Sequence, residues 1–146
     1  MALNTMNPDL MDEYYPDRTK GVLEQAQAKG CNTYLCGRIK IKDGMLDEVY
    51  AWVNTLNARK EELIEAFKYE GVELETVFLE RTNDGDYLIY YTRQENLEKV
   101  YTTLAKMGLP IRLFHVECWQ KCCEACIVLE PLFDLKTHLT QKRADE

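Results

Sequence analysis

Two runs of β-branched and aromatic residues, Leu74 to Arg81 and Tyr87 to Thr92, flank the polar segment Thr82-Asn83-Asp84-Gly85-Asp86. Turn-forming residues between two such runs make a β-hairpin. Its second run, Tyr87-Leu88-Ile89-Tyr90-Tyr91, lacks polar alternation, so both faces of that strand need cover. One layer of helices covers only one of them. The rest of the chain must therefore supply a helical layer and leave a second sheet face for something else.

Asn32 to Ile41 reads as a strand, with Leu35, Ile39 and Ile41 on one face and Tyr34, Cys36, Arg38 and Lys40 on the other. Gly37 falls on the aliphatic face and signals close approach by a helix, or a bulge. Asp43-Gly44 turns the chain, and Asp43 stands where it can cap the next helix. From Met45 to Glu70 the residues Leu46, Val49, Val53, Leu56, Leu63 and Phe67 recur at helical spacings, with Trp52 and Ile64 widening the stripe. That pattern predicts one long amphipathic helix ended by Gly71, its opposite face, including Arg59-Lys60-Glu61-Glu62, solvated. Glu95 to Met107 repeats the pattern through Leu97, Val100, Tyr101 and Leu104, stopping at Gly108 and Pro110. Leu113 to Glu124 reads as a short extra helix and Cys126 to Leu129 as a fourth strand.

The order is strand, helix, strand, strand, helix, strand. A right-handed strand-helix-strand unit leaves room between its parallel strands, and the hairpin partner fills it in antiparallel fashion. The expected fold is α+β, a ferredoxin-like βαββαβ with an antiparallel four-stranded sheet and an extra short helix before the last strand. Both main helices lie on one face. The other face is apolar enough to favour a homodimer closing two sheets into a dimeric α/β-barrel. Residues 1–30 form an N-terminal arm and short helix, 31–135 the ferredoxin-like domain, and 136–146 a charged C-terminal tail.

No stretch approaches the roughly 18 apolar residues a membrane helix needs, and the opening MALNTMNPDLMDEYYPDR is acidic where a signal peptide is basic, then apolar. The expectation is a cytoplasmic protein with no membrane partner. With 18 basic against 25 acidic residues, a net charge of -7 repels phosphate backbones and argues against nucleic acid. Without a secretory signal the six cysteines read as reduced thiols rather than a disulfide framework.

His115 and Trp119, four apart on the short helix, share a face and can point into a cleft beside the sheet. Histidine suits general acid or base work; a histidine held by a backbone carbonyl or carboxylate is the plainer alternative. Glu75, in an otherwise apolar strand, becomes a candidate base if directed into a cavity that raises its pKa; otherwise it is a charge facing water. The aromatic set Trp52, Phe78, Tyr87, Tyr90, Tyr91 and Trp119 can line a pocket for a planar molecule or fill a core. We take His115 and Glu75 as candidate catalytic residues and Trp52, Tyr90 and Trp119 as candidate ligand-binding residues. Cys118, Cys122, Cys123 and Cys126 lack paired C-x-x-C knuckles, so no metal ligand is assigned, and buried thiols behave as small hydrophobes. Asn83-Asp84-Gly85-Asp86 has too few oxygen ligands for a calcium loop.

The runs GVELETVFLE, GDYLIYY and IRLFHVECW, with NTLNARKEE upstream, resemble a family of small uncharacterised proteins in the dimeric α/β-barrel superfamily. The likeness spans about residues 36 to 135, and His115 falls on a histidine position of that pattern. It departs at Arg112, where an acidic residue is expected, and in the cysteine cluster. The resemblance implies the ferredoxin-like fold, the homodimer and a small organic ligand between helices and sheet, without cofactor. By analogy the enzyme class is a cofactor-independent monooxygenase. The alternative is a non-enzymatic interaction or metal- and redox-sensing protein using Cys118 to Cys126.

Overall fold

The computed structural model describes residues 18–137, with side chains from residue 21; the expected arm before Arg18 and most of the charged tail lie outside these residues. In chain order the elements are α1 (Arg18–Ala28), β1 (Tyr34–Ile41), α2 (Leu46–Ala58), α3 (Lys60–Glu70), β2 (Val72–Thr82), β3 (Gly85–Gln94), α4 (Leu97–Lys106), α5 (Pro110–Cys122) and β4 (Cys123–Val128). β3 pairs antiparallel with both β2 and β1, and β1 antiparallel with β4, giving an α+β molecule with a four-stranded sheet in the order β2-β3-β1-β4. The hairpin turns on Asn83-Asp84, with Thr82 opposite Gly85 and the Thr82 hydroxyl donating to the Gly85 carbonyl at 2.6 Å.

Burial alternates along β1, with Leu35, Gly37, Ile39 and Ile41 inward. Register carries that face to Leu88, Tyr90 and Thr92 of β3 and to Cys126 and Val128 of β4. Val49 and Trp52 of α2, Leu97 of α4 and Cys122 of α5 close over it as the main core. Cys122, Cys123 and Cys126 are buried there as small apolar residues. Gly37 is needed because a Cβ would sit 2.5 Å from Cys126 Sγ, so the close approach is by the neighbouring strand rather than by a helix or a bulge. The irregularity of β1 lies further on, between Ile39 and Ile41.

The opposite face carries the row Phe78, Ile89, Arg38 and Ile127 across all four strands. Arg38 donates to Glu80 and lies 3.6 Å over the Tyr87 ring, while Phe78 and Ile127 remain 60% and 61% exposed. Chain beyond β4 returns along the β1 margin of this face: the Leu129 amide donates to the Cys36 carbonyl, and Asp134 pairs with Arg93. The outer edge of β4 is occupied by α1, whose Gln25 side chain donates to the Cys126 carbonyl (3.1 Å) and accepts from the Val128 amide (2.9 Å). A side-chain amide here takes the hydrogen bonds a fifth strand would make.

Three local expectations change. The single helix over Met45–Glu70 is two helices broken at Arg59 (φ -120°, ψ 29°). From Asn57 to Glu62 the only apolar side chain is the methyl of Ala58, so packing does not hold that stretch straight, and Arg59 pairs instead with Glu62. Asp43 does not cap α2, which starts after Met45 without a side-chain cap. Pro110 opens α5 rather than only closing the preceding segment, its missing N–H falling where a helix has no use for one. Gly71 ends α3 as predicted, at φ 76°.

Candidate functional site

Between α2, α3 and the β2–β3 side of the sheet lies a cavity of about 420 Å³. Its walls are largely apolar, with Leu63 and Phe67 from α3, Leu88 from β3 and Val100 and Leu104 from α4 among them. Tyr50 and Val53 of α2 and Val77 and Leu79 of β2 line it while remaining partly exposed, which marks its mouth.

Polar groups converge on this apolar space. The Trp52 indole N–H donates to His115 Nδ1 at 2.9 Å, and His115 Nε2 stands 3.0 Å from Glu75 Oε1. A nitrogen that accepts from the indole bears a lone pair, so the ring proton sits on Nε2 and is donated to Glu75. The two rings pack at 5.4 Å between centroids. His115 lies on α5, Trp52 on α2 and Glu75 on β2, so the chain Trp52–His115–Glu75 ties three elements together at the cavity wall. Among the described residues His115 is the hydrogen-bond partner of the Glu75 side chain, and Glu75 lines the cavity.

Behind Glu75 is a buried ion pair. Arg112 Nε donates to both oxygens of Glu70, at 3.0 and 2.9 Å, with side-chain exposures of 9% and 3%. Burial pushes the Glu70 carboxyl above its ordinary value against the pull of Arg112. Burial also acts upward on Glu75, but His115 and Arg112 outweigh it and hold that carboxyl below the usual range. The direction is the reverse of the raised pKa considered for a carboxyl in a cavity, because His115, and after it Arg112, face Glu75 from α5, a contact across 40 residues that the strand's own pattern does not reveal. Burial raises the phenols of Tyr90 and Tyr101, which stay protonated. Neither hydroxyl has a hydrogen-bond partner among the described residues, and both side chains line the cavity.

All five candidate residues, His115, Glu75, Trp52, Tyr90 and Trp119, line this cavity. Tyr87 and Tyr91 belong by register to the opposite face of the sheet, while Phe78, which shares that face by register, also lines the cavity from the β2 edge, so the wider aromatic set divides between the two faces. Glu70, Arg112 and Tyr101 were not singled out. The signal for Arg112 was a charge inside the apolar run Ile111-Arg112-Leu113-Phe114, three residues from His115 on one helix face. Among the described residues no group of three or more His, Cys, Asp or Glu side chains is placed to hold a metal ion. Burial pushes Cys118 up to about 11 and Cys126 to about 12, so both are thiols at neutral pH. No helix among the described residues is long and apolar enough to cross a membrane.

Residues 33–145 match the model of a family of unknown function (DUF6176). The chain belongs to that family. The matched segment runs from the residue before β1 through all four strands and past the site, so the Trp52–His115–Glu75 chain lies wholly within it. No curated protein and no solved structure matches the chain.

Proposed function

We propose that this protein is a cytoplasmic, ferredoxin-like homodimer of the dimeric α/β-barrel kind. It binds a small, largely apolar organic molecule between helices and sheet and presents Glu75 to that molecule as proton acceptor. The observation that carries the ligand reading is the Trp52–His115–Glu75 chain ending at the wall of a 420 Å³ apolar cavity. A space of that size with a few convergent polar groups is how small-molecule sites are built. The imidazole of His115, steadied by Trp52, orients the carboxylate, and the carboxylate keeps lone pairs for a ligand. Cofactor-independent oxygenation, the class suggested by resemblance, begins with removal of a substrate proton and fits a base in this position.

The order β2-β3-β1-β4 is that of a βαββαβ ferredoxin-like sheet and supports the fold reading. Phe78 and Ile127, exposed on the two edge strands at either end of the row across the outer face, support a second copy as its cover. Light scattering on the full chain is expected to give a dimer, and Phe78→Glu with Ile127→Glu a monomer; a monomeric wild type refutes the assembly. For the ligand, a panel of bicyclic aromatic alcohols and ketones is expected to raise the thermal midpoint, and Val53→Trp, which fills the mouth at a partly exposed position, to abolish the effect. A panel without effect, or one indifferent to Val53→Trp, removes the reading.

A further inference from the structure

The polar inventory of the cavity restricts what it can hold. Arg112 is the one cation among its lining residues, and Nε is spent on Glu70. That one cation is already matched by Glu70, and a second carboxyl, Glu75, stands on the wall, an arrangement that disfavours an anionic ligand. Among the described residues the Nη1 and Nη2 groups of Arg112 make no hydrogen bond, although the side chain lines the cavity. The same wall therefore offers guanidinium donors from Arg112, an acceptor from Glu75 and the hydroxyls of Tyr90 and Tyr101. A ligand satisfying both needs an oxygen acceptor beside an acidic hydrogen.

We infer, on the reading of this cavity as a ligand site, that its substrate is a neutral carbonyl compound with a C–H next to the carbonyl, and that Glu75 and Arg112 interconvert its keto and enol forms. Glu75 Oε2 takes the proton as the C–H bond breaks. That electron pair forms the carbon–carbon double bond, and the carbonyl π pair moves to oxygen, where the Arg112 Nη–H groups hold the enolate. Return of the proton from Glu75 to carbon or oxygen completes a step that consumes no oxidant or reductant. Donors aimed at the developing charge in a dry site act strongly because they need no reorganisation. Tyr90 and Tyr101, held as phenols, flank the same space as further donors.

The test uses the full chain and 2-tetralone, an apolar bicyclic ketone, in D2O under nitrogen, where oxygenation cannot contribute. Exchange of the hydrogens beside the carbonyl is followed by proton NMR, and binding by saturation transfer. Wild type is expected to accelerate exchange, and Glu75→Gln to lose about 100-fold or more of it while still binding the ketone. Arg112→Lys, which keeps the charge but not the planar fork, is expected to lose roughly tenfold or more. Equal exchange in wild type and Glu75→Gln, with binding retained, overturns the enolisation and leaves the ligand site standing. Binding of the panel alcohols but not of the ketone does the same. If no member of the panel binds, this inference falls together with the reading it rests on.

Discussion

Replacing Arg112 with Met tests whether the charges behind Glu75 are held in the way the geometry requires. The guanidinium Nε meets both Glu70 oxygens at 3.0 and 2.9 Å, and the two side chains are 9% and 3% exposed. Loss of Arg112 strands one buried carboxylate and removes a charge that, after His115, lowers the Glu75 carboxyl. Breaking such a pair from one side costs about 3–5 kcal/mol. With a urea dependence of about 1.5–2 kcal/mol/M for a domain of this size, the unfolding midpoint falls by about 2–3 M. Replacing both partners behaves differently. Burial leaves the Glu70 carboxyl raised even with Arg112 beside it, so the attraction does not fully offset the desolvation. Glu70→Leu with Arg112→Met therefore recovers most of the loss, and the double-mutant cycle gives a coupling of about 2 kcal/mol or more. The assay is urea unfolding followed by tryptophan fluorescence and far-ultraviolet circular dichroism, with coincident transitions checked for each variant. A cost below about 1 kcal/mol for Arg112→Met, or a double variant no more stable than that single one, would show that the pair is hydrated or differently partnered.

Gly37→Ala is expected to cost about 1–3 kcal/mol, because its Cβ would stand 2.5 Å from Cys126 Sγ, and clearly less in a Cys126→Ala background. Equal costs in the two backgrounds would rule out that clash as the cause. The depressed carboxyl of Glu75 contributes stability that is present above its unfolded value of about 4.3 and is lost as pH falls through its lower folded value. Glu75→Gln should accordingly flatten the acid limb of the stability profile, while a limb unchanged in shape places the titration elsewhere. The Cys118 thiol, pushed up to about 11 by burial, is expected to be alkylated by iodoacetamide about tenfold faster per pH unit between pH 7 and 10, as mapped by mass spectrometry. Rapid, pH-independent labelling of Cys118 at neutral pH would restore the cysteine segment as a reactive site.

What the sequence revealed and what it hid follow from the range of each interaction. Alternation in β1 and the turn between the two hairpin runs are local, and they survive into the structure as burial pattern and register. Glu75 could be read as a site residue for the same local reason: it shares a strand face with Val77 and Leu79, where a carboxylate has no ordinary business. The break at Arg59 was masked because Leu56 and Leu63 are seven apart, close to two helical turns, so the stripe keeps its phase across a gap that lacks packing. Glu70 and Arg112 are separated by 42 residues, and each looks unremarkable in its own segment, one a last-turn acid before Gly71 and the other a departure from a familiar pattern. Their meeting depends on where α3 ends. The break at Arg59 gives α3 its own start, after which Leu63 and Phe67 line the cavity and Glu70 meets Arg112 three residues before His115. The feature least visible in the sequence thus sets Glu70 against Arg112, whose charge adds to the pull of His115 on Glu75, and a substitution that straightened α2 into α3 should alter the site without touching any of its polar residues.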